Sequence, residues 1–115
     1  MVLPDRDDKI VICTPEVSIA RLLEVQIRRR GYRVTVVRNG QAAIDACRKI
    51  KPGLLVLDAT TQDPGAAEVE RTLRSDPATA GTAIQIVRGK GLASWLLKPS
   101  LSLFRILKDP RIEIA

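Results

Sequence analysis

The chain contains no histidine, only two cysteines, and a single tryptophan, tyrosine and phenylalanine. Each scarcity closes a class of chemistry. Without an imidazole there is no histidine-based catalysis and no histidine metal ligand. Cys13 and Cys47 are too few for a disulfide framework and lack zinc-ligand spacing, and Cys13 reads as a buried inert thiol. Aromatics at 3% of the chain argue against an aromatic-rich binding platform. No apolar run approaches the roughly eighteen residues needed to cross a bilayer, and the opening Met1-Val2-Leu3-Pro4-Asp5-Arg6-Asp7-Asp8 is too acidic for a secretory signal. The expected address is the cytoplasm, without membrane contact. Gly89-Lys90-Gly91 lacks P-loop spacing and reads as a tight turn, so no cofactor is expected.

What is present is aliphatic and basic. With 45% hydrophobic residues, mainly Val, Ile, Leu and Ala, the 115 residues can build one core, and this composition suits parallel strands covered by helices. Nineteen basic against thirteen acidic residues leave a net charge of +6, compatible with nucleic acid, an anionic lipid or an acidic partner. The densest basic cluster, Arg28-Arg29-Arg30, falls at the end of a predicted helix, where cations meet the last carbonyls and the helix dipole. Such a cluster alone does not specify DNA, and nucleic acid is the disfavoured partner.

After a polar leader, residues 1 to 8, the run Lys9 to Cys13 reads as a buried strand. Thr14 is a suitable N-cap and Pro15 a suitable first helical residue, and Ile19, Leu22, Leu23 and Ile27 recur at helical spacing, predicting a helix from about Pro15 to Arg30. Gly31 stops it, and the β-branched stretch Arg33 to Val37 predicts a second strand. Asn39-Gly40 turns the chain into a helix over residues 41 to 50, with Ala43, Ile44, Cys47 and Ile50 on one face, before the breaker Lys51-Pro52-Gly53. Leu54 to Asp58 is the clearest buried strand and carries one carboxylate at its C-terminal end. A loop to Gly65, a helix holding Ala67, Val69 and Leu73, and a strand from Ala83 to Val87 follow. This alternation predicts right-handed βαβ units and a parallel sheet. Beyond Arg88 too few residues precede Leu92 to Leu97 for a crossover helix, and a last helix is expected from about Ser100 to Lys108.

The ordered landmarks Arg30-Gly31-Tyr32, Asn39-Gly40, Lys51-Pro52, Leu57-Asp58, Leu73-Arg74-Ser75-Asp76-Pro77 and Lys98-Pro99 resemble those of the bacterial response-regulator receiver family, from Lys9 to Lys108. The resemblance implies a flavodoxin-like, doubly wound sheet of order 2-1-3-4-5 with its site at the carboxyl ends of the strands. Residues 9 to 108 would be the domain and 109 to 115 a tail. It implies that Asp58 matches the phospho-acceptor, Lys98 the phosphoryl-contacting lysine, Pro99 the proline after it, and Trp95 the aromatic that reorients on switching.

Departures from the family pattern matter more than matches. Where the family has two consecutive acidic residues that hold magnesium, this sequence has Thr14 and Pro15, so no metal site is expected. Arg88 replaces the small hydroxyl residue after the fourth strand and is a candidate ion-pair partner for Asp58 together with Lys98. The loop after Asp58 is one residue short near Thr60. The fourth helix is shortened or absent, so the fifth strand either folds back as an antiparallel edge or pairs across a homodimer. Leu92, Trp95, Leu96, Leu103 and Phe104 are the candidate interface residues, with filling of the local core as their bland alternative.

The expected function is a pseudo-receiver of bacterial two-component signalling: not an enzyme, and acting by phosphorylation-independent binding to another signalling protein or domain. The alternatives are a receiver still phosphorylated on Asp58, with Arg88 and Lys98 supplying charge, and a basic nucleic-acid-binding module.

Overall fold

The computed structural model describes residues 9–88. They form four strands alternating with three helices: β1 (Lys9–Cys13), α1 (Val17–Arg28), β2 (Arg33–Val37), α2 (Gly40–Ile50), β3 (Leu54–Asp58), α3 (Ala66–Ser75) and β4 (Ala83–Val87). The sheet is parallel throughout, in the order β2-β1-β3-β4. This is the doubly wound arrangement anticipated for these strands; the fifth strand and the segment after Arg88 lie outside the described residues.

The period of two in each strand sorts the core into two layers. Ile10, Ile12, Leu54 and Val56 face α1, where Ala20, Leu23 and Ile27 cover them. Val11, Cys13, Leu55 and Leu57 face the other side, against Ala43, Ile44 and Cys47 of α2 and Val69 and Leu73 of α3. Every residue of β3 is buried, which explains its unbroken apolar run: a central parallel strand is covered on both faces.

Two local expectations require correction. Thr14 does not cap α1; Glu16 holds the N-cap position without a side-chain cap bond, and the helix starts at Val17 and ends at Arg28. The Thr14 hydroxyl is turned into the sheet edge, where it is more useful than at a helix end. Leu22 does not join the core: it is 55% exposed, and Val25 49%. Glu24 occupies the flank of the buried stripe instead, 8% exposed, with its carboxylate held by Arg21 and Arg28 at 3.0 and 2.7 Å.

Asn39-Gly40 does more than turn the chain. The Asn39 side chain accepts from the Ala42 amide at 2.9 Å and caps α2, whose first residue is Gly40. At the far end Lys51 terminates α2 in the left-handed region, φ 53°, its N–H donating to the Cys47 carbonyl. Because the strands are parallel, their carboxyl ends share one edge of the sheet with the starts of α1, α2 and α3. The helix C-termini gather at the other edge.

Candidate functional site

Asp58 ends β3 at the carboxyl edge, paired in register with Val87 of β4, and is 7% exposed. Its carboxylate is held by two threonines. Thr14 Oγ1 donates to Oδ2 at 2.8 Å. On Oδ1, the Thr60 amide donates at 2.9 Å and the Thr60 hydroxyl at 2.8 Å. Thr14 is itself fixed: its N–H donates to the Val37 carbonyl at 3.0 Å, and its hydroxyl accepts from the Glu16 amide at 3.0 Å. The loop after Asp58 is fastened to α2 by its backbone, with the Gly40 and Gln41 amides donating to the Gln62 and Asp63 carbonyls at 2.9 and 2.8 Å. Three of the four lone-pair sites of the Asp58 carboxylate are therefore occupied by donors of this chain.

Beside this edge lies an open cleft of about 370 Å³ lined by Pro15, Arg38, Asn39, Thr60, Gln62 and Asp63. Below it, on the α2 side of the sheet, Cys13 donates to the Asn39 carbonyl at 3.4 Å and lies 3.6 Å from the Thr61 hydroxyl. Both cysteines are buried and free. Burial pushes the Cys47 thiol up to about 12, and burial, opposed by the Thr61 hydrogen bond and aided by the Asp58 charge, also raises that of Cys13.

The sequence candidates divide accordingly. Thr14 and Asp58 are in direct contact, and Pro15 lines the adjoining cleft. Arg88 is exposed and no bond joins it to Asp58 among the described residues. It lies one residue past the Asp58–Val87 pair, beyond the end of the strand. Lys98, Pro99 and Trp95 lie outside the described residues, as do Leu92, Leu96, Leu103 and Phe104. Sequence reasoning missed the Thr60 hydroxyl, although an aspartate at a strand end can close an Asx-turn onto the amide two residues on, which brings Thr60 against its carboxylate. It also missed Arg38 and Asn39, whose position after a parallel strand places them at the ligand edge.

No family model matches the chain. The DNA-binding response regulator MtrA of Mycobacterium tuberculosis (strain ATCC 25618 / H37Rv) is 28% identical over 100 residues, covering 79% of this chain and 44% of that protein. The chain thus spans less than half the length of this curated relative. A putative response regulator from Chloroflexus aurantiacus J-10-fl superposes with a TM-score of 0.73 at 17% identity, over 89% of this chain and 98% of that one. The chemotaxis response regulator CheY4 of Vibrio cholerae gives 0.71 at 18% identity, over 85% and 97%. At these identities the structures establish the fold, and the sequence relative agrees with it. The chain has the CheY-like receiver fold.

A receiver ordinarily gathers carboxylates around magnesium, a hard cation that wants oxygen ligands in near-octahedral geometry. The residues at this edge do not suit it. Thr14 and Pro15 contribute no carboxylate, the Thr14 and Thr60 hydroxyl protons are directed at Asp58, and Glu16 is exposed. Among the described residues, no three of Cys, Asp and Glu cluster as a metal site.

Proposed function

We propose that this receiver acts without phosphorylation of Asp58, by binding another signalling protein through the carboxyl edge of its sheet. The supporting observation is the bracket of Thr14 and Thr60 around a buried Asp58. In-line transfer from an anionic phosphodonor to an anionic aspartate requires cations that neutralise the developing charge. Here hydroxyl and amide dipoles occupy the carboxylate. They also tie β1 to the loop after β3, holding the edge in a single arrangement. Such an edge presents a fixed surface instead of a switched one. In this reading Asp58 is a structural anion, Thr14 and Thr60 position it, and the cleft at Arg38, Asn39 and Gln62 is where a partner side chain enters. The domain comprises residues 9 to 108, acting alone or within a larger assembly, and no catalytic turnover is involved.

A second reading, phosphorylation on Asp58 by an unconventional route, is favoured by one feature: Arg38 is exposed at the cleft that adjoins Thr60. Intact-protein mass spectrometry after incubation with acetyl phosphate and magnesium separates the two. The proposal expects an unchanged mass. A stoichiometric gain of one phosphoryl group that disappears in Asp58→Asn overturns it.

A further inference from the structure

The end of the sheet opposite Asp58 concentrates cations that are scattered in sequence. Arg28, Arg29 and Arg30 close α1, and all three are exposed. The Arg28 guanidinium donates to the Val34 carbonyl at 2.9 Å, which ties this end of α1 to β2. Lys9 and Arg33 open β1 and β2 and are register partners on neighbouring strands. On the other face, Arg48 and Lys49 occupy the last turn of α2 and Lys51 is its C-cap, and the Gly53 amide donates to the Lys9 carbonyl at 3.0 Å, joining that segment to β1. Glu24, shared by Arg21 and Arg28, and Asp76, at 3.1 Å from Arg48, offset part of this charge. At the carboxyl edge the balance reverses, with Glu16, Asp58 and Asp63 against Arg38 and Arg88.

A cation at the last turn of a helix gains about 0.3–1 kcal/mol from the dipole, so one or two per helix have a sufficient local reason. Parallel topology brings two helix ends and two strand starts to one edge, so these separate local preferences sum to a single basic face. Like charges crowded on one face destabilise the free domain by mutual repulsion, a cost that a polyanion relieves.

We infer that this basic end of the sheet is a binding surface for the phosphate backbone of double-stranded nucleic acid. Helices about 10–12 Å across lie on both faces of the sheet, so the cations spread over roughly 20 Å, enough to meet several phosphates of a duplex carrying one charge per ~1.7 Å of its axis. Arginine forks match phosphate oxygens in geometry as well as charge. Two features select a duplex over other anions. Tyr32, the aromatic residue among those described, is 3% exposed, so the surface offers no stacking partner to unpaired bases. The exposed large apolar side chains among the described residues are Leu22 and Val25 of α1, and none belongs to the strand starts or to the end of α2. The centre of a protein interface is depleted in charge, lysine included, whereas this face is densest in cations. In sequence the arginine cluster reads as a helix-end feature; the parallel topology joins it to Lys9, Arg33 and the end of α2.

The experiment is fluorescence anisotropy of a labelled, mixed-sequence duplex of about 20 base pairs with the full chain, at roughly 50 to 200 mM salt. Binding is expected whose log affinity falls linearly with log salt. The triple variant Arg29→Gln, Lys49→Gln, Lys51→Asn, in which asparagine suits the left-handed backbone at position 51, should bind at least about tenfold more weakly, with a salt slope reduced by about one for each phosphate no longer neutralised. Leu22→Gln, which alters an exposed side chain of α1 and no charge, should bind like the parent. The single variants Arg29→Gln and Lys49→Gln, each altering one exposed side chain, carry the same test at about one unit of slope. Absence of binding at ~50 mM salt, unchanged binding by the triple and single variants, or equal affinity for polyglutamate or for the single strand overturns the inference.

Discussion

Gly40 is the position where a single methyl group should do the most damage. It is the first residue of α2, and in an ordinary helix replacement of glycine by alanine gains about 0.5–1 kcal/mol. Here a Cβ would fall onto the Pro64 carbonyl oxygen and come within 2.8 Å of both Pro64 N and Val69 Cγ2. Two of these obstacles are backbone, so no rotamer change can relieve them. The loop from Thr61 to Gly65 must move away from α2. That movement stretches the amide bonds from Gly40 to Gln62 and from Gln41 to Asp63, worth about 1 kcal/mol each, and overpacking adds about 1–3 kcal/mol. Set against the helix gain, Gly40→Ala should destabilise by about 2–4.5 kcal/mol, or roughly 10–25 °C in Tm. Thermal unfolding followed by circular dichroism, with urea titration as a second measure, tests this. A variant as stable as the parent, or more stable, refutes the close approach of the loop to α2.

Three further outcomes are expected. Thr14→Val keeps shape but removes the Oδ2 donor, so a buried carboxylate loses a partner and stability should fall by about 1–3 kcal/mol; Pro15→Ala, at an exposed neighbour, should change it far less, and equal losses in urea titration would contradict the hydrogen bond from Thr14 to Asp58. Leu23→Ala should cost about 2–5 kcal/mol because Leu23 is fully buried, while Leu22→Gln should stay within about 0.5 kcal/mol; reversed losses would place the wrong face of α1 inward. The Cys47 thiol lies at about 12 in the folded chain against an ordinary 9.0. The unfolded chain therefore releases this proton first, and stability should fall as pH rises from about 9 towards 12, at up to about 1.4 kcal/mol per pH unit. The fall should be shallower in Cys47→Ala, and parallel pH profiles for the two proteins would contradict burial of the thiol.

Much of the architecture is legible in local sequence because it rests on short-range physics. Lys9 to Cys13, Arg33 to Val37, Leu54 to Asp58 and Ala83 to Val87 can be read as strands from β-branched and apolar runs bounded by Gly, Pro and Asn, and their bounds agree with the structure. Alternation with helices then restricts them to parallel pairing, since each crossover must return the chain to the same edge. Asp58 at the end of the central strand follows from the same pattern. What local pattern cannot settle is which partner a side chain finds across the fold. Thr14 satisfies every local rule for a helix cap, yet Asp58, forty-four residues away, takes its hydrogen bond, because a buried carboxylate without donors is costlier than an uncapped helix. Leu22 and Leu23 are equally apolar, and only the docking angle of α1 on the sheet decided which one is buried. The approach of Gly40 to Pro64 and the union of cations from α1, α2 and the strand starts likewise depend on parallel strands bringing distant segments to common edges. Sequence determined the elements and their alternation through local conformational preference; tertiary structure alone decided the pairings at the two edges, because those depend on distances between residues that local preference does not connect.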